Sequence, residues 1–383
     1  MKPLPAALEV IEPSGIRVIA DLAARIPDAI HLEIGEPDFP TPPHIVQAAS
    51  EAATQGYTKY TPSAGFESLR ELIVDKLCQS NGIRASLNNI TVTPGAICGI
   101  ASCVFALAEA GEEVLVPDPG WPNYRLIVVS AGCDPISYPL HASAGFAPDP
   151  KELEQLVTAR TKVLILGSPS NPSGAVFPKD IILALVELAA RHDLYIVTDE
   201  VYEAFVFEGE HVSPAQFDGD GRVASVFSFS KTYAMTGWRI GYVAAADPVS
   251  SLVTKLQQAF VSCASAVSQK AAEAALAGPQ GCVGAMREAY RSRRDMVVSM
   301  LQRHGLRYHV PNGAFYLMVD VSSTGRDADT FAKALLREQG VAVAPGSAFG
   351  RMGEGYVRVS LARSDADLQR GIELLCAFVR SAE

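Results

Sequence analysis

One lysine stands in Ser228-Phe229-Ser230-Lys231-Thr232-Tyr233, and Arg239 follows eight residues later in Gly237-Trp238-Arg239-Ile240-Gly241. A hydroxyl, a lysine and an arginine placed just after a strand can surround a phosphate. A lysine in a partly desolvated, cationic pocket has a lowered pKa and attacks carbonyl carbon. Taken alone, Lys231 reads as a surface loop lysine. No GxxxxGK[ST] precedes it, so a P-loop is excluded.

Three further stretches carry candidate chemistry. Asp199, in Thr198-Asp199-Glu200-Val201-Tyr202, ends an apolar run. A carboxylate there can pair with a protonated ring nitrogen, hold a metal, or cap a helix. Asn171, in Ser168-Pro169-Ser170-Asn171-Pro172-Ser173-Gly174, is a turn residue by default. Held between prolines, its amide can also donate a fixed hydrogen bond. Thr93-Pro94-Gly95-Ala96-Ile97 turns a strand into the apolar stretch to Ala108. That turn presents backbone N–H groups at a helix start, where anions bind.

The elements that must position these residues follow from the hydrophobic pattern. Apolar runs without alternation at Glu113–Pro117, Lys162–Gly167, Leu194–Asp199, Val223–Ser228 and Ile240–Ala244 read as strands buried on both faces. Helical periodicity at Asp180–His192 separates two of them. The alternation predicts an α/β domain with a mostly parallel sheet, whose functional groups gather at the carboxyl ends of strands. Beyond about residue 275 the pattern changes. A charged helix over Met286–Arg303, a strand over Ala314–Val319, a helix over Asp329–Gln339, and strands over Val341–Val343 and Tyr356–Ser360 read as a smaller α+β domain. The expected organisation is an N-terminal segment over 1–41 packing on that domain, a large domain over 42–275 and a small one over 276–383.

Composition narrows the class. The 383 residues are 48% hydrophobic and 19% charged, which suits large packed cores rather than disorder. With 42 acidic and 32 basic residues the formal charge is -10, which argues against nucleic acid or an anionic membrane as main partner. The longest apolar run, near Ala96–Ala108, is too short to span a bilayer. The start, MKPLPAALEVIEPSG, has no signal-peptide apolar block. Seven scattered cysteines form no CxxC, so neither a disulfide frame nor a zinc site is indicated, and no other metal site is expected. The expectation is a cytoplasmic protein.

Taken in order, these segments resemble the pyridoxal-phosphate aminotransferases of class I and II, fold type I, in the aspartate aminotransferase superfamily. The resemblance spans the whole chain. It begins at Gly35-Glu36-Pro37-Asp38-Phe39 and Tyr60-Thr61-Pro62-Ser63-Ala64-Gly65. It continues through Asp118-Pro119-Gly120-Trp121, Asn171-Pro172, Asp199–Tyr202 and Ser228–Tyr242, and ends at Tyr356–Ser360. It implies a large domain with a mostly parallel seven-stranded sheet, a smaller α+β domain, and pyridoxal 5'-phosphate as cofactor. It implies transfer of an amino group from an L-amino acid to a 2-oxo acid through aldimine, quinonoid and ketimine intermediates.

The resemblance also implies roles. Lys231 would bind the cofactor aldehyde and shuttle the proton. Asp199 would pair with the ring nitrogen, and Asn171 and Tyr202 would bond the phenolic oxygen. Trp121 would stack on the ring. Gly95, Ala96, Ile97, Ser228 and Arg239 would hold the phosphate, with Tyr60 reaching it from the neighbouring subunit of a homodimer. Arg358 would fork onto the substrate α-carboxylate, which Gly35, Trp121 and Asn171 would also contact. His192, Met235 and the Arg291, Arg293 and Arg294 cluster receive no role. Each candidate has a plain structural alternative: Trp121 as core filler, Arg358 in an ion pair, Tyr60 and Asn171 as turn residues.

One departure bears on the substrate. Some relatives carry a lysine two residues after the turn glycine, where it binds a side-chain carboxylate; Ile97 stands here instead. Together with Ile16 in the N-terminal Ser14-Gly15-Ile16-Arg17 segment, this suggests an apolar, aromatic or small substrate side chain. Arg17 is read as a solvated arginine, with recognition of a carboxylate as the alternative. Carbon–sulfur β-lyases and aminocyclopropanecarboxylate synthases share the same residue set and are the nearest rival. A non-catalytic regulator would add a basic helix-turn-helix region, and none is seen. A nicotinamide dehydrogenase would need a GxGxxG after its first strand, and none stands here.

Overall fold

The computed structural model describes residues 14–382. In chain order its strands are β1 (Ile30–His31), β2 (Ile90–Thr93), β3 (Glu113–Asp118), β4 (Asp134–Pro139), β5 (Thr161–Gly167), β6 (Tyr195–Asp199) and β7 (Val223–Ser228). They continue with β8 (Gly241–Ala244), β9 (Tyr308–His309), β10 (Tyr316–Asp320), β11 (Val341–Ala342), β12 (Ala344–Pro345) and β13 (Tyr356–Ser360).

The seven-stranded sheet has the order β2-β8-β7-β6-β5-β3-β4. Neighbours from β4 to β7 are parallel, and β8 is antiparallel to both β2 and β7. Strands β3, β5, β6 and β7 are buried along most of their length, as their unbroken apolar runs require. One face packs on the helix Ala96–Leu107 through Ile100, Cys103 and Val104, against Val163, Val197 and Val226. The opposite core gathers Leu164, Leu166, Ile196 and the apolar stripe of the helix Lys179–Arg191.

The reversed direction of β8 places the site. It begins where its neighbours end, with Gly241 opposite Ser228 and Thr93. The connection from β7 to β8, which carries Lys231 and Arg239, therefore lies on the same sheet edge as the ends of β5 and β6.

The second sheet is antiparallel, in the order β12-β13-β10-β9, and β1 pairs in parallel with β11. The helices Gly281–Arg303, Ala328–Gln339 and Asp365–Ala382 contribute to its core. The helix Gly15–Ala23 packs against β11, β12 and Ala328–Gln339. Residues 1–13 of the expected N-terminal segment lie outside the described residues.

Several expected bounds shift for local reasons. Ala314 takes a left-handed backbone, φ 57°, so the strand expected from Ala314 begins at Tyr316. The single strand expected over Val341–Val343 splits: β11 pairs with β1, and the chain then passes to β12, which pairs with β13. Strand β8 starts at Gly241 rather than Ile240. Arg293 and Arg294 are buried in structural pairs, Arg293 with Asp38 and Asp365, Arg294 with Glu208 and Asp295. Met235 is buried, and His192 meets Glu154 at 2.8 Å. Among the described residues no helix is long and apolar enough to cross a membrane.

Candidate active site

A cavity of about 440 Å³ opens at this sheet edge. Gly35, Ala96, Ile97, Trp121, Asn171, Asp199, Tyr202, Ser228, Lys231, Arg239 and Arg358 all line it. These residues come from four strand ends, one helix start, the second sheet and the segment after β1. Two sequence candidates are not among its lining residues. Gly95 sits behind it as the residue before the helix Ala96–Leu107. Tyr60 is 87% exposed and outside this chain's cavity.

Lys231 follows β7 by three residues, in the short helix Phe229–Thr232 that Ser228 caps by accepting from the Ser230 N–H at 3.1 Å. Its Nζ donates to the Gly35 carbonyl at 2.7 Å. Burial pushes its pKa down to about 8; Glu36 and Asp199 oppose the fall, and the charges of Arg358 and Arg239 reinforce it. This is the desolvated, cationic setting that makes a lysine nucleophilic near neutral pH.

Asp199 ends β6 and is buried. Burial pushes its carboxyl up to about 6, against hydrogen bonds from the Tyr124 hydroxyl at 2.7 Å and the Val201 N–H at 3.3 Å. A protonated nitrogen set against Asp199 would draw it back down.

Arg358 is buried on β13. Its Nη1 donates to Asn171 Oδ1 at 2.8 Å and its Nη2 to the Glu33 carbonyl. The guanidinium lies between the Tyr316 ring at 4.2 Å and the Phe349 ring at 4.8 Å. Its Nε is buried and has no hydrogen-bond partner among the described residues.

The helix Ala96–Leu107 starts without a side-chain cap, leaving its first N–H groups unpaired by one. Gly95 has φ 81°, and a Cβ there would stand 2.7 Å from Arg239 Nη2. Arg239 itself has a left-handed backbone, φ 51°, and is fixed by donating from Nη1 to the Thr236 carbonyl at 2.8 Å. A helix N-terminus, an arginine, Ser228 and Ser230 thus border one corner of the cavity, the donor set that a phosphate requires. With Lys231 for an aldehyde, Asp199 for a ring nitrogen and Trp121 for a ring face, the residues fit pyridoxal 5'-phosphate.

Tyr124, Tyr316, Ser14, Ala20 and Ile34 also line the cavity and were not singled out from sequence, whereas Ile16 and Arg17 were. Tyr124 stands one helical turn beyond Trp121, and its hydroxyl reaches Asp199. Tyr316 sits beneath Arg358. Ser14, Ile16, Arg17, Ala20 and Ile34 form the wall nearest the N-terminal segment. Arg17, expected to be solvated, is exposed and also borders the cavity.

Residues 27–375 match the family model for aminotransferases of class I and II. The aspartate aminotransferase of Pyrococcus abyssi is 40% identical over 97% of each chain. The aromatic-amino-acid aminotransferase 2 of Thermococcus litoralis is 39% identical over 96% of this chain and 95% of its own. The solved structure of the Thermus thermophilus aspartate aminotransferase with maleate superposes with a TM-score of 0.94 at 36% identity, covering 98% of this chain and 100% of that one.

Proposed function

The chain belongs to the class I and II aminotransferases, fold type I enzymes that use pyridoxal 5'-phosphate, and from that footing we propose how its own residues run the reaction. The enzyme transfers an amino group between an amino acid and a 2-oxo acid. The bound cofactor supplies an aldehyde for the amino group and a protonated ring that withdraws electrons from the substrate α-carbon.

In this reading the Lys231 amine would hold the aldehyde of the cofactor and, as a free amine, would carry the proton from the substrate α-carbon. Asp199 keeps the ring nitrogen protonated, and Tyr124 keeps Asp199 ionised. Tyr202 and the Asn171 NH₂ group donate to the phenolic oxygen; Asn171 Oδ1 is already committed to Arg358. Gly95, Ala96 and Ile97 through their backbone, with Ser228 and Arg239, hold the phosphate. Trp121 covers the ring. Arg358 takes the substrate carboxylate beside Gly35, Asn171 and Trp121. The observation that carries this is the convergence of Lys231, Asp199 and Arg358, from β7, β6 and β13, on one cavity.

The side-chain end of the pocket supports an apolar, aromatic or small amino acid. Ile16, Ala20, Ile34 and Ile97 border the cavity, and no lysine stands where Ile97 does. A homodimer is part of the proposal. Phe105 and Phe260 meet edge to face at 5.6 Å on the surface, with Leu252 and Val261 also exposed. The Thr61 N–H bonds Cys263 Sγ at 3.4 Å, which ties Tyr60 to the end of this apolar surface. A second copy covering it would receive Tyr60 at its own phosphate corner. The seven unpaired cysteines among the described residues support a reducing, cytoplasmic setting. The division into domains at 42–275 and 276–383 belongs to the same reading, supported by the separation of the seven-stranded from the four-stranded sheet.

The deciding experiment adds a panel of amino acids, one at a time, to the holoenzyme without an oxo acid. Conversion of the visible band to the pyridoxamine spectrum, fastest for apolar or aromatic donors, is expected. Fast half-reactions restricted to aspartate and glutamate would reject the pocket reading. Ammonia and pyruvate from cystathionine as the dominant products would reject transamination in favour of a lyase.

A further inference from the structure

Tyr316 has no part in the roles above, yet it touches two residues that do. It is the buried first residue of β10, and its ring lies under the Arg358 guanidinium at 4.2 Å. Its hydroxyl is 2.8 Å from the Tyr202 hydroxyl. A Cβ at Gly35 would stand 1.7 Å from that Tyr316 oxygen, so the phenol keeps this place only while residue 35 is glycine. The pair is therefore built in from three sides: β10, the Tyr202 loop and the segment after β1.

Each phenol owns one proton. Burial pushes the pKa of both upward, so both keep it through the neutral range. One proton cannot serve two acceptors in linear bonds. When the Tyr202 proton is given to the phenolic oxygen of the cofactor, the bond between the two tyrosines has to be donated by Tyr316.

We infer that Tyr316 is a positioning residue that donates to the Tyr202 hydroxyl and so strengthens Tyr202 as a donor to the cofactor's phenolic oxygen. The inference rests on the role proposed for Tyr202. Consecutive hydrogen bonds in a buried setting polarise one another, so the second donor makes the first a stronger one. The phenolic oxygen stands on the ring carbon next to the one that bears the aldehyde Lys231 would hold. The more of its negative charge Tyr202 takes up, the less it retains the proton on the Lys231 nitrogen, and that proton leaves at lower pH.

The test is a spectrophotometric pH titration of the visible band in the holoenzyme, for wild type, Tyr316→Phe, Tyr202→Phe and the double variant. Phenylalanine at 316 keeps the ring beneath Arg358 and removes only the hydroxyl. Its midpoint should rise by ~0.5 unit, less than that of Tyr202→Phe, while KM for amino acids stays within about twofold. The double variant should titrate like Tyr202→Phe alone. An unmoved midpoint in Tyr316→Phe beside a raised one in Tyr202→Phe overturns the inference and leaves the reading of Tyr202 standing. No movement in either overturns both. Additive shifts in the double variant overturn the route through Tyr202.

Discussion

Arg358 Nη1 donates to Asn171 Oδ1 at 2.8 Å, which fixes the amide so that its NH₂ is the edge left for a ligand. The pair joins β13 of the second sheet to the loop after β5 of the first. A planar fork at 358 can hold Asn171 and still present a guanidinium edge to the cavity it lines; an ammonium cannot do both. Arg358→Lys should therefore lower kcat/KM for every amino acid and oxo acid by about 2 kcal/mol, roughly 30-fold. Steady-state kinetics on three unrelated substrates checks this, and a loss confined to one of them would remove Arg358 from carboxylate recognition.

Lys231 is expected to be the only attachment point of the cofactor. Borohydride reduction of the holoenzyme followed by peptide mass spectrometry should place the pyridoxyl group on Lys231. Lys231→Ala should lose turnover while still binding the cofactor through its phosphate and ring contacts. An adduct on another lysine, or normal turnover in the variant, contradicts the assignment.

The pKa of Lys231, pushed down to about 8, gives a pH prediction for the cofactor-free protein. The attacking species is the free amine, whose fraction rises as pH passes upward through that value. An ordinary lysine would need pH above 10 for the same fraction. The rate of cofactor capture by the apoenzyme should climb between about pH 7 and 9 and then level. Stopped-flow absorbance measures it; a rate still climbing steeply beyond pH 10 would show that the amine is not perturbed.

Tyr124 and Asp199 make a paired prediction. The Tyr124 hydroxyl holds the Asp199 carboxyl down against burial. Removing it in Tyr124→Phe should let the carboxyl rise, so that Asp199 takes up its proton at higher pH. The acid limb of the kcat/KM profile should move upward in pH, with little change at the alkaline side. Asp199→Ala should cut the rate by orders of magnitude at every pH, because the ring nitrogen loses its counter-charge. A pH profile unmoved in Tyr124→Phe would disconnect the two residues.

Subunit complementation tests Tyr60. Lys231→Ala and Tyr60→Ala variants, each impaired, are mixed, dissociated and allowed to reassociate at limiting cofactor. A mixed dimer contains one site with both native residues, so activity should reappear. No recovery, in a mixture shown to exchange subunits, would place Tyr60 outside the partner's site.

The strands that bear the chemistry were legible because burial on both faces leaves long apolar runs, as at Val163–Leu166 and Ile196–Thr198. The residues at their ends were legible as motifs: Asn171, Asp199 and Lys231 each follow such a run. Edge strand β4, Asp-Pro-Ile-Ser-Tyr-Pro, was not noted, since its exposure and two prolines erase the apolar signal. Tyr124 and Tyr316 were missed for another reason. Their partners, Asp199 and Tyr202, stand 75 and 114 residues away, and nothing in local sequence marks a phenol that meets its acceptor only after the chain has folded. The split between β11 and β12 depends likewise on which sheet each half joins.

The reversed β8 has a cost in tolerance. Because it sends the chain straight back beside β7, a single connector carries both the nucleophilic amine and the guanidinium at the anion corner. Their spacing is set by the short helix Phe229–Thr232, the turn at Thr236–Trp238 and the left-handed residues Ala234 and Arg239. Adding or deleting one residue between positions 231 and 239 would misplace one grip relative to the other, whereas turns at the far edge of the sheet could lengthen freely.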